Sequence, residues 1–124
     1  MGTVLNTKIN NKNVTYVDLS SALHSDVIYS QCGVCYGIYN EDFLYIHVAF
    51  NARGDITHPK NETFLNLPVK INPSKCRVIG VLQLKGSSFG FIGISATSDG
   101  KYLYCNDGFV AGSYLIMDLM LDRN

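Results

Sequence analysis

The amino-acid sequence predicts an all-β protein, an antiparallel sandwich or barrel of about eight short strands. Val, Ile, Thr, Tyr and Phe are abundant among the 124 residues, and such a composition favours pleated, half-buried surfaces over helices. Apolar runs of strand length recur at intervals of roughly eight to twelve residues, with turn-forming residues between them. Strands do not alternate with long helical segments, which excludes the parallel α/β architectures.

The strongest single signal is a hairpin centred on Asp99-Gly100. Within residues 89–106, two apolar, β-prone runs flank the sequence Ser98-Asp99-Gly100-Lys101. Asp-Gly between alternating apolar residues predicts a two-residue type I′ turn, because Gly adopts positive φ freely and Asp does so better than most residues.

The other elements follow in order along the chain. Residues 1–13 are polar and rich in Asn and Lys, and we expect them to be a leader or linker ahead of a β-sandwich domain over residues 14–124. Predicted strands occupy residues 14–18, 27–40, 42–51, 64–68, 76–84 and 112–121, in addition to the two arms of the Asp99-Gly100 hairpin.

Two predicted strands show the strict alternation that separates a core face from an outer face. In the strand over residues 42–51, the side chains of one face are the better core candidates: Leu44, Ile46, Val48 and Phe50. In the last strand, one face carries Leu115, Met117, Leu119 and Leu121. The other face of that strand carries Tyr114, Ile116, Asp118 and Met120. It is too apolar for an open surface, so we predict a subunit interface there.

Composition and charge exclude several classes of function. Ten basic and ten acidic residues cancel, and no cluster of Lys and Arg is available to neutralise a nucleic-acid backbone. No apolar run reaches the roughly 18 residues of a membrane span, and no secretory signal opens the chain. A neutral ligand or a protein partner therefore fits this sequence better than nucleic acid or a membrane.

Cys32-Gly33-Val34-Cys35 is the motif that most resembles a metal or redox site. Residues three apart in a strand point to opposite faces, so the two thiols share a metal only if Gly33 forms a bulge. The sequence contains no second CxxC motif to complete a set of four ligands. We therefore favour reduced, buried structural cysteines and keep a zinc or redox pair as the alternative.

The sequence contains no motif that is typical of a catalytic site. The three histidines (His24, His47 and His58) lie far apart, without the HxH or HExxH spacing of metal sites. No Gly-x-Ser-x-Gly turn presents a nucleophile, and the carboxylates lie mostly in predicted turns. The sequence therefore predicts a non-enzymatic protein with no metal and no cofactor.

A group of aromatic side chains provides a candidate ligand site. The group surrounds one predicted hairpin and consists of Tyr36, Tyr39, Phe43 and Tyr45, with His47 beside them. Exposed rings stack on the C–H faces of sugars, and neighbouring polar groups bond the hydroxyls. The alternative is that these rings pack beneath loops or against another subunit, since large exposed apolar patches are uncommon on monomers.

The order of motifs from Thr63 onward resembles that of a known family. Thr63-Phe-Leu-Asn-Leu-Pro68 precedes Asn72-Pro73-Ser74, an apolar strand, the Asp99-Gly100 hairpin and Gly112-Ser-Tyr-Leu-Ile116. This order resembles the C-terminal receptor-binding or baseplate domain of tail proteins from phages that infect Gram-positive bacteria. The likeness covers residues 14–121. The chain departs from the family at Tyr16, where tryptophan is common, and at Val69-Lys70-Ile71, where the family has glycine-tyrosine-arginine.

The resemblance implies a β-sandwich of jelly-roll type that is usually a homotrimer. It places the protein in the virion, at the phage tail, after synthesis in the bacterial cytoplasm. Domains of this family recognise host cell-wall saccharide without catalysis, or serve as structural parts of the baseplate beside other tail proteins. No binding residue is carried over from the resemblance, because ligand sites differ among family members.

Overall fold

The computed structural model describes residues 4–9, 12–24, 28–32, 35–52, 63–76, 78–83, 89–106 and 114–124. The described part contains ten strands: β1 (Val4–Ile9), β2 (Lys12–Asp18), β3 (Ile28–Cys32), β4 (Tyr36–Tyr39), β5 (Phe43–Ala52), β6 (Leu65–Asn66), β7 (Val78–Gln83), β8 (Phe89–Ala96), β9 (Tyr102–Cys105) and β10 (Tyr114–Asp122). Two short 3₁₀ turns, Ser20–Ala22 and Pro73–Lys75, lie between strands. The predicted all-β class is confirmed.

Every strand pair is antiparallel, and hydrogen bonds link the strands in the order β1-β2-β4-β5-β10-β7-β8-β9-β6. β10 pairs with β5 along one edge of that strand. Along the other edge, β4 pairs with the first half of β5 and β3 pairs with its end, at Phe50 and Ala52. The ladder of strands therefore branches at β5.

The pairing of β5 with β10 is the longest in the molecule's described part. It runs without interruption through nine residue pairs, from Tyr114 opposite Asn51 to Asp122 opposite Phe43. The alternation predicted for these two strands is confirmed, because the predicted core positions are all 0–1% exposed: Leu44, Ile46, Val48, Phe50, Leu115, Met117, Leu119 and Leu121.

Strands from the two ends of the ladder share one hydrophobic core. Val17 of β2 and Leu103 of β9 are both buried in it, although five strands separate β2 and β9 in the hydrogen-bonded order. The rings of Phe50 and Phe64 lie 5.5 Å apart and join β5 to the segment that leads into β6. The ladder therefore curves back over itself and encloses the core, as the burial of large apolar side chains requires.

Two segments differ from the sequence prediction. The leader expected over residues 1–13 contains strand β1, which pairs with β2 through six residue pairs. The single strand expected over residues 27–40 is two strands, β3 and β4, which pair with different parts of β5. These two differences raise the count from the predicted eight strands to ten.

The turn at Asp99-Gly100 is longer than predicted. The backbone N–H of Thr97 bonds the carbonyl of Tyr102 at 2.9 Å, so four residues lie in the loop instead of two. The N–H of Gly100 bonds the carbonyl of Thr97 at 2.8 Å, and Gly100 has a φ of 72°. A turn closed between residues i and i+3 and followed by a left-handed residue is a common alternative to the two-residue hairpin.

Gly100 also allows two segments to approach closely. A Cβ atom at this position would lie 2.2 Å from the carbonyl oxygen of Ile71, and the N–H of Ile71 bonds the carbonyl of Gly100 at 3.1 Å. The N–H of Leu67 bonds the carbonyl of Lys101 at 2.8 Å. The hairpin is thereby fastened to the segment that follows β6.

The Gly100→Ala substitution is expected to lower the free energy of unfolding by at least about 2 kcal/mol, because it combines a left-handed φ with a clash against backbone. Chemical denaturation measures this loss. Gly93→Ala is the matched control, since its Cβ would meet only the side chain of Asn106, whose nitrogen would lie 2.7 Å away. Asn106 is exposed, and turning away would cost it the hydrogen bond that its Oδ1 accepts from the Ser95 hydroxyl. Equal losses in the two variants would contradict the close contact at Gly100.

Candidate functional site

One face of the sheet formed by β2, β4, β5 and β10 gathers aromatic and polar side chains. We call this surface the aromatic face and define it by Tyr16, Tyr36, Tyr45, His47 and Asp118. Cross-strand pairing places these residues together: Tyr36 lies opposite His47, and His47 lies opposite Asp118. Because side chains alternate along a strand, these positions all point away from the core that Leu44 and Ile46 enter.

Three rings form a continuous stack across three strands. The ring centroids of Tyr16 and Tyr36 are 5.5 Å apart with an interplanar angle of 22°. The centroids of Tyr36 and His47 are 5.4 Å apart with an angle of 28°. The ring centroid of Tyr45 lies 6.1 Å from that of Tyr36, and the two rings are tilted relative to each other. Tyr36 is therefore the centre of the aromatic face, and its contacts are the aromatic cross-strand pairs that stabilise sheets.

Asp118 links two other residues of the aromatic face, because both form a hydrogen bond with the same oxygen of its carboxylate. The hydroxyl of Tyr45 donates to Oδ1 at 2.6 Å, and Nδ1 of His47 lies 2.7 Å from the same oxygen. The side chain of Asp118 is 58% exposed and that of His47 is 27% exposed. Within the described residues, both hydrogen bonds to this carboxylate reach Oδ1, so Oδ2 is left to accept from a ligand.

These hydrogen bonds shift the pKa values of two groups in opposite directions. The bond to Asp118 is the main cause that raises the pKa of Tyr45, and partial burial and the Tyr36 hydroxyl add to it. Hydrogen bonds from Tyr45 and then His47 lower the pKa of Asp118. At neutral pH the face therefore presents a protonated phenol, an ionised carboxylate and an oriented imidazole.

This arrangement is suited to holding a ligand. A histidine held by a carboxylate is the geometry of a general base, but such a base requires a nucleophile beside it. The neighbouring phenol of Tyr45 has a raised pKa, which keeps it a hydrogen-bond donor and makes it a poor nucleophile. Because the single O–H of Tyr45 already donates to Asp118, the face offers a ligand ring surfaces and a carboxylate acceptor.

The structure brings together only part of the predicted ligand site. Tyr36, Tyr45 and His47 meet on the aromatic face. Tyr39 is opposite Leu44 and packs against the core, where the Arg123 guanidinium lies 5.9 Å from its ring centroid.

The fifth predicted position is Phe43, which is half-buried at the start of β5. It lies opposite Asp122, two residue pairs beyond Met120 along β10. Its strand position gives it the same orientation as Tyr45. Phe43 therefore lies at the end of the aromatic face and away from the Tyr16–Tyr36–His47 stack.

The predicted subunit interface lies on the same surface. Asp118 belongs to the aromatic face, and Met120, opposite Tyr45, is 61% exposed at its margin. Tyr114 and Ile116 continue along β10 toward β7, where Ile116 is opposite Val81. The predicted ligand site and the predicted subunit interface therefore lie on one continuous surface.

Two contributions to the aromatic face were missed from the sequence. In the sequence, Tyr16 stands out only as a departure from a family pattern, and Asp118 belongs to the predicted subunit interface. Tyr16 lies opposite Ile38, and Asp118 lies opposite His47. Sequence alternation indicates which face a residue takes, but the cross-strand partner of a residue depends on the register between strands far apart in the sequence.

The structure describes the side chains of three of the four cysteines. The side chains of Cys35, Cys76 and Cys105 are buried, as predicted, and the Cys35 thiol lies 3.6 Å from the carbonyl oxygen of Ala49. Cys32 belongs to β3. Gly33 and Val34, where the bulge would lie, fall outside the described residues. In the described ranges, no three His, Cys, Asp or Glu side chains are grouped to hold a metal ion.

Comparisons of this chain with known protein families, with curated proteins and with solved structures found no match. Among the residues that the structure describes, no helix has both the length and the apolar character needed to cross a membrane.

The Asp118→Asn substitution is expected to lower the pKa of Tyr45 toward its ordinary value of 10.0, because an amide no longer opposes ionisation of the phenol. NMR titration of the Tyr45 ring measures this change. Asp122→Asn is the matched control, since it removes an exposed carboxylate from the same strand that does not bond Tyr45. An unchanged Tyr45 titration in Asp118→Asn would refute the hydrogen bond.

The same pair of bonds predicts how stability depends on pH. The lowered pKa of Asp118 stabilises the fold above the ordinary value of 3.8, and this contribution is lost as the pH falls through the folded value. The raised pKa of Tyr45 stabilises the fold below 10.0, and this contribution is lost as the pH rises through the folded value. The stability difference between wild type and Asp118→Asn should therefore be largest at intermediate pH and shrink at both extremes. Denaturation at several pH values tests this.

Proposed function

We propose that this chain is a non-catalytic module that binds saccharide on its aromatic face. The observation that carries the proposal is the partly exposed Tyr16–Tyr36–His47 stack beside the hydrogen-bonded carboxylate of Asp118. Rings contribute apolar surface for sugar C–H groups, and Oδ2 of Asp118 is placed to accept from a hydroxyl. A few oriented polar groups among aromatic side chains are typical of small-molecule sites.

The electrostatic balance also supports a neutral ligand. Formal charges cancel over the whole chain, and the face contains one ionised carboxylate that already receives two hydrogen bonds. A carboxylate that keeps a free oxygen is a directional acceptor for hydroxyl groups without demanding a cationic partner. A neutral sugar meets these requirements better than a strongly charged ligand.

The resemblance of the motifs from Thr63 onward supports a biological setting for this activity. In that setting the chain is a jelly-roll head domain in the tail or baseplate of a phage that infects Gram-positive bacteria. It is made in the bacterial cytoplasm, assembles as a homotrimer beside other tail proteins, and recognises cell-wall saccharide of the host. Since Asp118 belongs to the ligand site, the subunit contact in this proposal uses Tyr114 and Ile116 of β10.

A second candidate function is a purely structural role in baseplate assembly. It is favoured by Met120, which is 61% exposed at the margin of the aromatic face, and by Phe91 of β8, which is 81% exposed. Large exposed apolar side chains mark protein interfaces more often than they mark solvated surface. In that case a partner protein covers the aromatic face, and the chain has no ligand of its own.

The saccharide proposal predicts saturable binding to cell-wall polysaccharide in titration calorimetry, with the ligand class found first on a glycan array. Tyr36→Ala should weaken binding by about tenfold or more, because it removes the ring at the centre of the stack. Tyr104→Ala, on β9 and outside the face, is the matched control and should leave binding unchanged. The absence of binding to any saccharide, or equal effects of the two variants, would contradict the proposed recognition role.

The assembly proposal predicts a defined oligomer in solution. Light scattering should give a mass three times the 13.7 kDa of one chain. Ile116→Asp should reduce that mass to a single chain, because an unpaired carboxylate is costly to bury in an interface. A monomer that keeps its aromatic face exposed at high concentration would contradict the trimer in either proposed role.

A further inference from the structure

A second surface feature stands apart from the aromatic face. A cavity of about 450 Å³ opens between the segment that follows β6, the start of β9 and the 3₁₀ turn after β2. Its polar lining is contributed by Ser21, Asn66, Lys70, Lys101 and Tyr102. We call it the lysine cavity. Its volume falls in the range of sites that hold small organic ligands.

The two lysines are held on facing segments. Lys70 precedes Ile71, whose N–H bonds the carbonyl of Gly100, and the carbonyl of Lys101 accepts from the N–H of Leu67. The backbones on either side of the cavity are therefore linked by hydrogen bonds, and the missing Cβ of Gly100 permits this distance. Hydrogen-bonded backbone therefore places two lysines in the lining of one cavity.

The remaining polar groups are also arranged to donate. The Oδ1 atom of Asn66 lies 2.6 Å from Nε2 of His24, and the hydroxyl of Thr63 lies 3.3 Å from Nδ1 of the same ring. With Nε2–H donating to Asn66 and Nδ1 accepting from Thr63, the acceptor of Asn66 is occupied and its NH₂ group is left to donate. Ser21 and Tyr102 add hydroxyl groups.

No carboxylate lines the lysine cavity among the described residues. In the same part of the chain, neither Lys70 nor Lys101 has an ion-pair partner within 4.0 Å. Asp99, the nearest carboxylate in sequence to Lys101, accepts from the Thr97 hydroxyl and from the Lys101 backbone N–H. That bonding fixes Asp99 in the turn, and together with the smaller effect of the Lys101 charge it lowers the pKa of Asp99.

We infer that the lysine cavity binds a sugar-sized organic molecule that carries an oxyanion, a phosphate ester or a carboxylate. Two cations and an amide donor match the acceptor oxygens of such a group. The ring of Tyr102 and the apolar wall at Leu67 and Pro68 contact the uncharged remainder of the ligand. This site shares no residue with the aromatic face, so it stands whether or not the face binds saccharide.

Three probes with the same ring test the inference: glucose 6-phosphate, glucuronate and glucose. We expect saturable amide shifts in NMR spectra at Asn66, Lys70, Lys101 and Tyr102 with the two anions. Glucose should bind about tenfold more weakly or not at all, as expected for two partly exposed charge contacts. Tighter binding of glucose 6-phosphate identifies a phosphate ester as the ligand group, and tighter binding of glucuronate identifies a carboxylate.

A pair of variants separates the site from general charge effects. Lys70→Gln/Lys101→Gln should abolish the preference for the anionic sugars while leaving thermal unfolding unchanged, because both side chains are exposed. Lys75→Gln, which removes an exposed lysine outside the cavity, should keep the preference. Equal binding of all three probes, shifts located elsewhere, or equal losses in the two variants would overturn the inference.

Discussion

The uninterrupted antiparallel pairing of β5 with β10 is the constraint on which the rest of the structure depends. Nine consecutive residue pairs align the core positions of one strand with those of the other. The same register aligns His47 with Asp118 on the outer face. A slip of one residue would move every apolar side chain of β10 to the solvent side and would separate the carboxylate from the imidazole. The core and the aromatic face are therefore two results of a single register.

The aromatic face and the lysine cavity are held in place by different parts of the fold. On the face, a rigid sheet presents rings at the spacing between strands, about 4.8 Å, and Asp118 orients its neighbours by accepting from two of them at once. In the cavity, loop backbones hold the site, and hydrogen bonds at Leu67 and Ile71 fix the distance between segments. We propose neutral, hydroxyl-rich ligands for the first surface and anionic ones for the second.

Alternation along single strands could be read from the sequence, and it predicted the all-β class and the buried positions of β5 and β10. The same rule places Tyr36 and Tyr39, three apart in one strand, on opposite faces, and the structure separates them in this way. The pairing of β1 with β2, the branch at β5 and the juxtaposition of Tyr16 with Tyr36 could not be predicted. They depend on contacts between separate strands, and local patterning carries no information on such register. Asp99-Gly100 correctly marked a turn, whereas the hydrogen bonds of its loop to the distant Leu67 and Ile71 have no local signal in the sequence.

The branch at β5 has a consequence for how the fold opens. Ala49 lies between the part of β5 that pairs with β4 and the part that pairs with β3, and its carbonyl oxygen receives the Cys35 thiol. A seam between two strands is a place where local separation costs less than global unfolding. Because the Cys35 side chain is buried at this seam, separation of β4 from β5 there would expose to solvent a side chain that the closed sheet shields.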